Sequence, residues 1–300
     1  MPHELTAEEL SKARHEKLKK VAIFSGTGVE KGRENDAKVA EWTYRWGFVT
    51  EQVLKRLLNV TYPVTARYSV SSKTDKKTGE IKYSGKGLLE KVTTPPGFCS
   101  PYVLTEHGLN IARKNWTGNN LSYPWPKSRL KRQELNHDEM SQCVALASIG
   151  NGTLQAEREY KDGKKGAVPD FIITRQDKTV EWHETEINGK DGNRLIFQIQ
   201  ERIEALKRGE FTRLIWHFDK EADRKTVIKE MGKDCLPYIA RDNYHYTQDV
   251  NQEGLSPAAL DVVSEYRLID KELNDFDSEL EISRKIKNDM ALHKFEAMHL

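Results

Sequence analysis

Two apolar-rich runs with acids built into them constrain this chain more than any other segment. Val168-Pro169-Asp170-Phe171-Ile172-Ile173 is followed by Arg175-Gln176-Asp177-Lys178 and then by Val180-Glu181-Trp182-His183-Glu184-Thr185-Glu186-Ile187. β-branched and aromatic residues separated by a polar turn predict a β-hairpin. Asp has poor strand propensity, so Pro169-Asp170 at the start of one run goes against intrinsic preference, as do Glu181, Glu184 and Glu186 inside the other. Side chains alternate along a strand, which puts Glu184 and Glu186 on one face and His183 on the other, where packing is expected of it. An Asp on the neighbouring strand can converge on the same point. Three carboxylates so placed repel one another unless a hard cation neutralises them, and Mg²⁺ or Mn²⁺ prefers such an oxygen-rich setting. The bland alternative is a solvated acidic strand face.

The segments around the hairpin predict an α+β chain. Residues 1–35 read as a basic arm; Ser25-Gly26-Thr27-Gly28 within it lacks the following Gly-Lys-Ser/Thr of a phosphate-binding loop. Residues 36–115 read as a winged helix-turn-helix. A first helix carries Val39, Ala40, Trp42 and Tyr44, and Gly47 breaks it. A second is capped by Thr50 and has Val53, Leu54, Leu57 and Leu58 apolar. A weak third helix is placed over 65–73, then a two-stranded wing over 87–105 with a Pro-Gly turn, then a helix from Thr105 to Lys114. Residues 116–134 form a basic linker in which Trp116, Tyr123 and Trp125 interleave with cations, a mixture suited to stacking on single-stranded bases or to packing between domains. Within 135–245 the pattern predicts a helix over 135–149 capped by Asn136 or Asp138, a strand over 154–160 and then the hairpin. A helix over 194–208, a strand over 212–218, a helix over 225–231 and a short strand over 235–239 follow. Residues 246–300 read as an acidic helical extension, with helices over 261–273 and 278–292.

These segments resemble a known family. Pro169-Asp170, a hairpin, Glu184-x-Glu186 and Lys190, preceded by a helix opening on His137-Asp138-Glu139, look like the PD-(D/E)XK nuclease core, αβββαβ, in its Glu-x-Glu variant. Together with the N-terminal winged-helix pattern, the ordered set resembles MobC-type plasmid relaxases and the related replication-relaxation proteins over roughly residues 35–245. The resemblance implies a metal-dependent single-strand nick at the transfer origin of a mobile element. Its metal ligands would be Asp170, Glu184 and Glu186. His137 and Asp138 would be paired contributors to the metal shell or to base catalysis, and Lys190 would touch phosphate. One of Gln198 and Gln200, on the next helix, would hydrogen-bond the bound strand. The chain departs from the family at Glu186, which stands where a lysine is usual, and this puts in question any mechanism that needs that lysine. A coupling protein or relaxosome accessory proteins are the implied protein partners. A restriction or defence endonuclease, or a non-catalytic winged-helix regulator, are the alternatives.

Composition narrows the rest. The net charge of +2 hides an asymmetry: residues 1–135 hold 24 Lys and Arg against 14 Asp and Glu, and the remainder holds 24 against 32. A basic half suits polyanion binding and an acidic half suits metal-assisted chemistry. The candidate DNA contacts are Arg67, Lys73, Lys76, Lys77, Lys86 and Lys91 in the hinge and wing, with Lys127, Arg129, Lys131 and Arg132 in the linker. Both double- and single-stranded DNA are expected partners. Cys99, Cys143 and Cys235 form neither a disulfide framework nor a CxxC knuckle, which fits a reducing cytoplasm. No run of about 18 apolar residues predicts membrane insertion. His183-Glu184-Thr185-Glu186 lacks the second His of HExxH, and no HUH triad is present. Tyr62, Tyr68, Tyr83, Tyr160, Tyr238 and Tyr244 all stand as candidates for a covalent nucleophile. Activated water is the favoured attacking group, because no tyrosine neighbours the carboxylates in sequence.

Overall fold

A computed structural model describes residues 28–69, 71–74, 81–94, 96–116, 134–160, 168–190, 192–242 and 245–298. The fold is mixed α+β. Its centre is a five-stranded sheet of β5 (Thr153–Ala156), β6 (Phe171–Thr174), β7 (Val180–Glu186), β8 (Arg213–Phe218) and β11 (Ser264–Leu268). The spatial order is β11-β8-β7-β6-β5, antiparallel from β5 to β7 and parallel from β7 to β11. The hairpin forms as its sequence predicts. Phe171 pairs with His183 and Thr174 with Val180. Lys178 takes a left-handed φ of 69°, and Asp177 accepts from Thr179 N at 2.9 Å to hold the turn.

Alternation along the strands sends apolar side chains into two cores. Phe171 and Ile173 face a core built with α1 (Gly28–Trp46), α2 (Glu51–Leu58), α4 (Glu106–Asn115), α5 (Leu135–Ser148) and the start of α10 (Ile269–Met298). Ile172, Trp182, Leu214, Trp216 and Phe218 face the other, with α7 (Gly192–Lys207), α8 (Glu221–Met231) and α9 (Ala258–Val262). Burial of so many large side chains, at about 25 cal/mol per Å² of apolar area, is the main force holding both layers to the sheet.

The N-terminal helices share the first core rather than standing apart from it. Trp42 Nε1 donates to Gln142 Oε1 at 2.9 Å, Arg56 pairs with Asp277 at 2.7 Å, and Trp46 lies edge-on to Phe171 at 6.2 Å. Gly47 breaks α1 with φ 87°, and Thr50 caps α2 by accepting from Val53 N. Two strands, β3 (Leu89–Lys91) and β4 (Tyr102–Leu104), pair antiparallel where the wing was expected, and Thr105 caps α4.

Several expectations are corrected. The third helix is a single turn, α3 (Thr65–Tyr68), followed by a strand β1 (Ser71–Thr74) paired with β2 (Ile81–Ser84). Its Ser and β-branched residues favour that outcome. The arm boundary at residue 35 falls inside α1; residues 1–27 and the linker segment 117–133 lie outside the described residues. The N-cap of α5 is Glu134, with no side-chain cap, because Asn136 is already inside the helix and turns to Cys99 N and Gly97 O. The strand over 154–160 ends at Ala156 and closes as a helical turn, α6 (Glu157–Tyr160). In place of a strand over 235–239, Leu236 makes a bridge to Leu255, and β9 (Ile239–Asp242) pairs with β10 (His245–Gln248). The boundary at 245 therefore cuts a hairpin. The segment read as a helix from 261 onward contains β11, which completes the sheet.

Candidate active site

The start of β6 and the end of β7 meet at the same margin of the sheet. There Asp170 precedes Phe171 and stands opposite Glu184, and Glu186 ends the strand. The first turn of α5 and the loop into α7 close around them. The result is a cleft of about 460 Å³, whose lining includes His137, Asp138, Glu157, Asp170, Glu186 and Lys190. Glu184 lies deeper, on the same strand face as Glu186 and Trp182.

Each carboxylate has a cation of the protein's own. His137 Nε2 lies 3.4 Å from Asp170 Oδ2, whose oxygen also accepts from Thr185 N at 2.6 Å. Arg202 Nε donates to Glu184 Oε1 at 2.6 Å, and the pair is buried at 5% and 3% exposure. Lys190 Nζ donates to Glu186 Oε1 at 2.6 Å, and Gln198 Nε2 donates to the same oxygen at 2.9 Å. Charge balance at this margin is thus met locally, where the hairpin alone suggested that only a metal ion would meet it. Among the described residues no group of three His, Cys, Asp or Glu is placed to share an ion as the side chains stand.

Burial and these partners together set the titration of the cleft groups. Burial works against the charge on His137, but Asp170 and Asp138 outweigh it and push its pKa up to about 11, so the imidazole carries its proton. Burial would raise Asp170, yet His137, the Thr185 amide and Lys190 hold it below the ordinary carboxylate range. Glu184 goes the other way. Burial pushes it up to about 7, Arg202 opposes, and Asp170 adds to the rise. Asp138 is raised as well, by burial first, against the pull of His137 and with Asp170 and Glu157 adding to the rise. Both rises come first from burial, with the charge of Asp170 adding to each. The donors are all oxygen, and the buried Gln198 Oε1 has no hydrogen-bond partner. Oxygen donors are the kind that Mg²⁺ and Mn²⁺ prefer.

Other candidates are placed elsewhere. His183 is fully buried, stacked on Phe171, with Nδ1 2.9 Å from His217 Nε2; burial drops its pKa to about 3. Gln200 ties α7 to Ile239 and does not reach the cleft. Glu139 faces a separate cavity of about 660 Å³ between α2, α5 and α10, remote from the paired acids. No described tyrosine lines the cleft. Tyr62 is exposed, Tyr160 hydroxyl donates to Glu210, and Tyr244 lies outside the described residues. Of the DNA-contact candidates, Arg67 and Lys91 are exposed, whereas Lys86 pairs with Asp36 and lies over the Tyr68 ring. Lys73 falls on β1. Lys76, Lys77, Lys127, Arg129, Lys131 and Arg132 lie outside the described residues.

Sequence reasoning missed Arg202, Glu157 and Arg194. Arg202 was readable, since it stands four residues after Gln198 on the face of α7 turned to Glu184 and Glu186. Glu157 and Arg194 reach the cleft through tertiary packing and left no local signal. Among the described residues no helix is long and apolar enough to cross a membrane. No protein-family model, curated protein or solved structure matches this chain.

Proposed function

We propose that the chain is a metal-dependent DNA nuclease that nicks one strand, working at the transfer origin of a mobile element as a MobC-type relaxase does. The observation that carries this reading is the meeting of Asp170, Glu186 and Lys190 with His137 and Asp138 in one acidic cleft, with Glu184 beneath. Helix α5, the antiparallel β5–β7, helix α7 and the parallel β8 follow in the order of a PD-(D/E)XK core, which supports the same reading.

On this reading Asp170, Glu184 and Glu186 would hold the ion, which would supply Lewis-acid stabilisation of phosphoryl charge and water activation. The chain's own residues do the rest. Arg202 fixes the Glu184 carboxylate. His137, clamped between Asp138 and Asp170, stores a proton within the cleft. Lys190 and Arg194, in the loop and first turn of α7, offer positive charge to a phosphate, and the amino end of that helix adds to it. DNA is held by the basic N-terminal half, to which Arg67 and Lys91 contribute exposed cations. A relaxosome or coupling protein is the corresponding protein partner, and the three free cysteines suit a cytoplasmic setting.

The test is nicking of supercoiled plasmid with Mg²⁺ or Mn²⁺, with and without the cognate origin. Open-circular product is expected, and Asp170→Ala should abolish it while duplex binding persists. Linear plasmid as the first product would favour a restriction-type enzyme. Duplex binding with no metal-dependent cleavage would favour the non-catalytic regulator, and a stable tyrosyl–DNA adduct would replace water as the attacking group.

A further inference from the structure

Among the described residues, strand β11 is the outer strand of the central sheet, paired on one side only, with β8. Its parallel register and the Leu214 N to Val263 O bond turn the backbone groups of Glu265 and Arg267 toward β8. Those of Ser264 and Tyr266, and the N–H of Leu268, therefore point away from the sheet. A groove of about 460 Å³ runs along this side, between Arg224 of α8 and Lys271 and Asp275 of α10. Native sheets guard such an edge with charged side chains, Pro, a bulge or a covering element, and of these β11 carries charge, at Glu265 and Arg267. The sequence Ser264-Glu265-Tyr266-Arg267-Leu268 has no Pro, and its register with β8 runs without a bulge.

The charges on this strand are self-complementary about Tyr266. Glu265 and Arg267 share one face, one residue to either side of it. There Arg267 Nε donates to Glu265 Oε1 at 2.7 Å, and the pair is continued by Arg213 and Glu272. A two-fold contact would extend this intrachain network across the axis rather than meet free charges. When two such strands run antiparallel about a two-fold axis through Tyr266, Glu265 meets Arg267 of the other copy, and Arg267 meets its Glu265. The hydrogen-bond phase agrees, since Tyr266 is the residue whose N–H and C=O both face outward, so the two tyrosines form a hydrogen-bonded pair on the axis. Leu268 N–H then reaches Ser264 C=O. Shifting the register by two residues would lose both charge contacts.

We propose that the occupant of this edge is a second copy of this chain, joined through antiparallel β11 strands centred on Tyr266 into one continuous sheet. A closed two-fold contact of this kind uses one patch twice and leaves no free edge at β11. The proposal does not rest on the reading of the cleft.

The test uses charge reversal in the full chain, followed by sedimentation velocity. The wild type should show a concentration-dependent species of twice the 34.6 kDa chain mass. Glu265→Arg places Arg against Arg across the axis, and Arg267→Glu places Glu against Glu, so each variant alone should be monomeric. Mixed together they restore both opposite-charge contacts and should form a heterodimer. That rescue separates interface repulsion from misfolding. A second variant, Tyr266→Cys, should give a covalent dimer under mild oxidation. Hydrogen-bonded antiparallel partners have Cα atoms about 5.5 Å apart, within reach of a disulfide. The wild type, with its free Cys99 and Cys235, is the control. A wild type that stays monomeric at every concentration, single variants that still dimerise, or a mixture that fails to pair together with no Tyr266→Cys crosslink would each overturn the proposal.

Discussion

Replacing Arg202 by Met should expose how much of the cleft's stability rests on one buried ion pair. The guanidinium Nε is 2.6 Å from Glu184 Oε1, its other end approaches Val168 O at 3.4 Å, and the group lies 5.7 Å from the Trp182 ring centre. Two unit charges about 4 Å apart attract by roughly 4 kcal/mol at the effective dielectric that suits protein sites. Met fills much of the volume of the Arg stem, so the loss is mainly electrostatic. Leaving one member of a buried pair alone costs about 3–5 kcal/mol, or roughly 6–20 °C in Tm at about 2–4 °C per kcal/mol. Adding Glu184→Gln removes the stranded charge. The double variant should recover to within about 1–2 kcal/mol of the wild type, because a buried pair replaced as a whole is close to neutral.

The pH dependence gives the sharper test. Glu184 has a folded pKa raised to about 7 by burial, against Arg202 and with Asp170 adding. A carboxyl raised in the fold costs nothing below its unfolded value, and its cost grows as pH climbs from there through its folded value. Without Arg202 the folded value must rise further. At pH 5 the carboxyl is neutral in both proteins, and at pH 9 only the variant bears the unpaired charge or the uptake of a proton. The deficit of Arg202→Met should therefore shrink on going from pH 9 to pH 5, read by urea denaturation at both. Equal deficits at the two pH values, or single-variant losses that simply add in the double variant, would refute this account of the pair.

Three further outcomes follow from the geometry. Gly108→Ala would place a Cβ 2.2 Å from Leu88 O and 2.9 Å from Leu104 Cδ2, so it should lower stability by about 1–3 kcal/mol even though Ala is the better helix former, a loss that thermal melting reads directly. Thr50→Ala removes the side-chain acceptor of Val53 N at the start of α2 and should cost about 1 kcal/mol in the same assay. Lys190→Ala frees Glu186 from its ammonium and should tighten Mn²⁺ binding in calorimetry, while Asp170→Ala weakens it; unchanged affinity in both would remove these residues from the metal site.

The hairpin was legible because its information is local. Two β-forming runs, a polar turn and a period of two fix both pairing and face, so the opposition of Asp170 and Glu184 follows from the sequence once the register is set by the turn. The caps at Thr50 and Thr105 were legible for the same reason. Strand β11 was not. Its alternating Glu265, Tyr266 and Arg267 read equally well as part of an acidic helix, and it becomes a strand because β8 offers a parallel neighbour fifty residues earlier in the chain. A pairing that non-local leaves no trace in a window of ten residues.

The same divide runs through the cleft and bears on how it works. Lys190 stands four residues after Glu186, and Arg202 shares a helix face with Gln198, so both cations were within reach of local reading. His137 bonds Thr185 O from 48 residues away and was placed near the acids only by resemblance. The three cations differ in what they can give up. Arg202 is sealed under Trp182 with Glu184, and moving it would strand a buried charge. Lys190, on the loop at the rim, is the more exposed of the two, at 24% against 6%, though its partner Glu186 is buried. On the proposed reading, Glu186 could hold an ion only if Lys190 gave up its place on the carboxylate, which would leave the ammonium available to a phosphate. Glu186 and Lys190, four residues apart, would then part roles on that reading, the carboxylate staying with the ion and the ammonium meeting the phosphate.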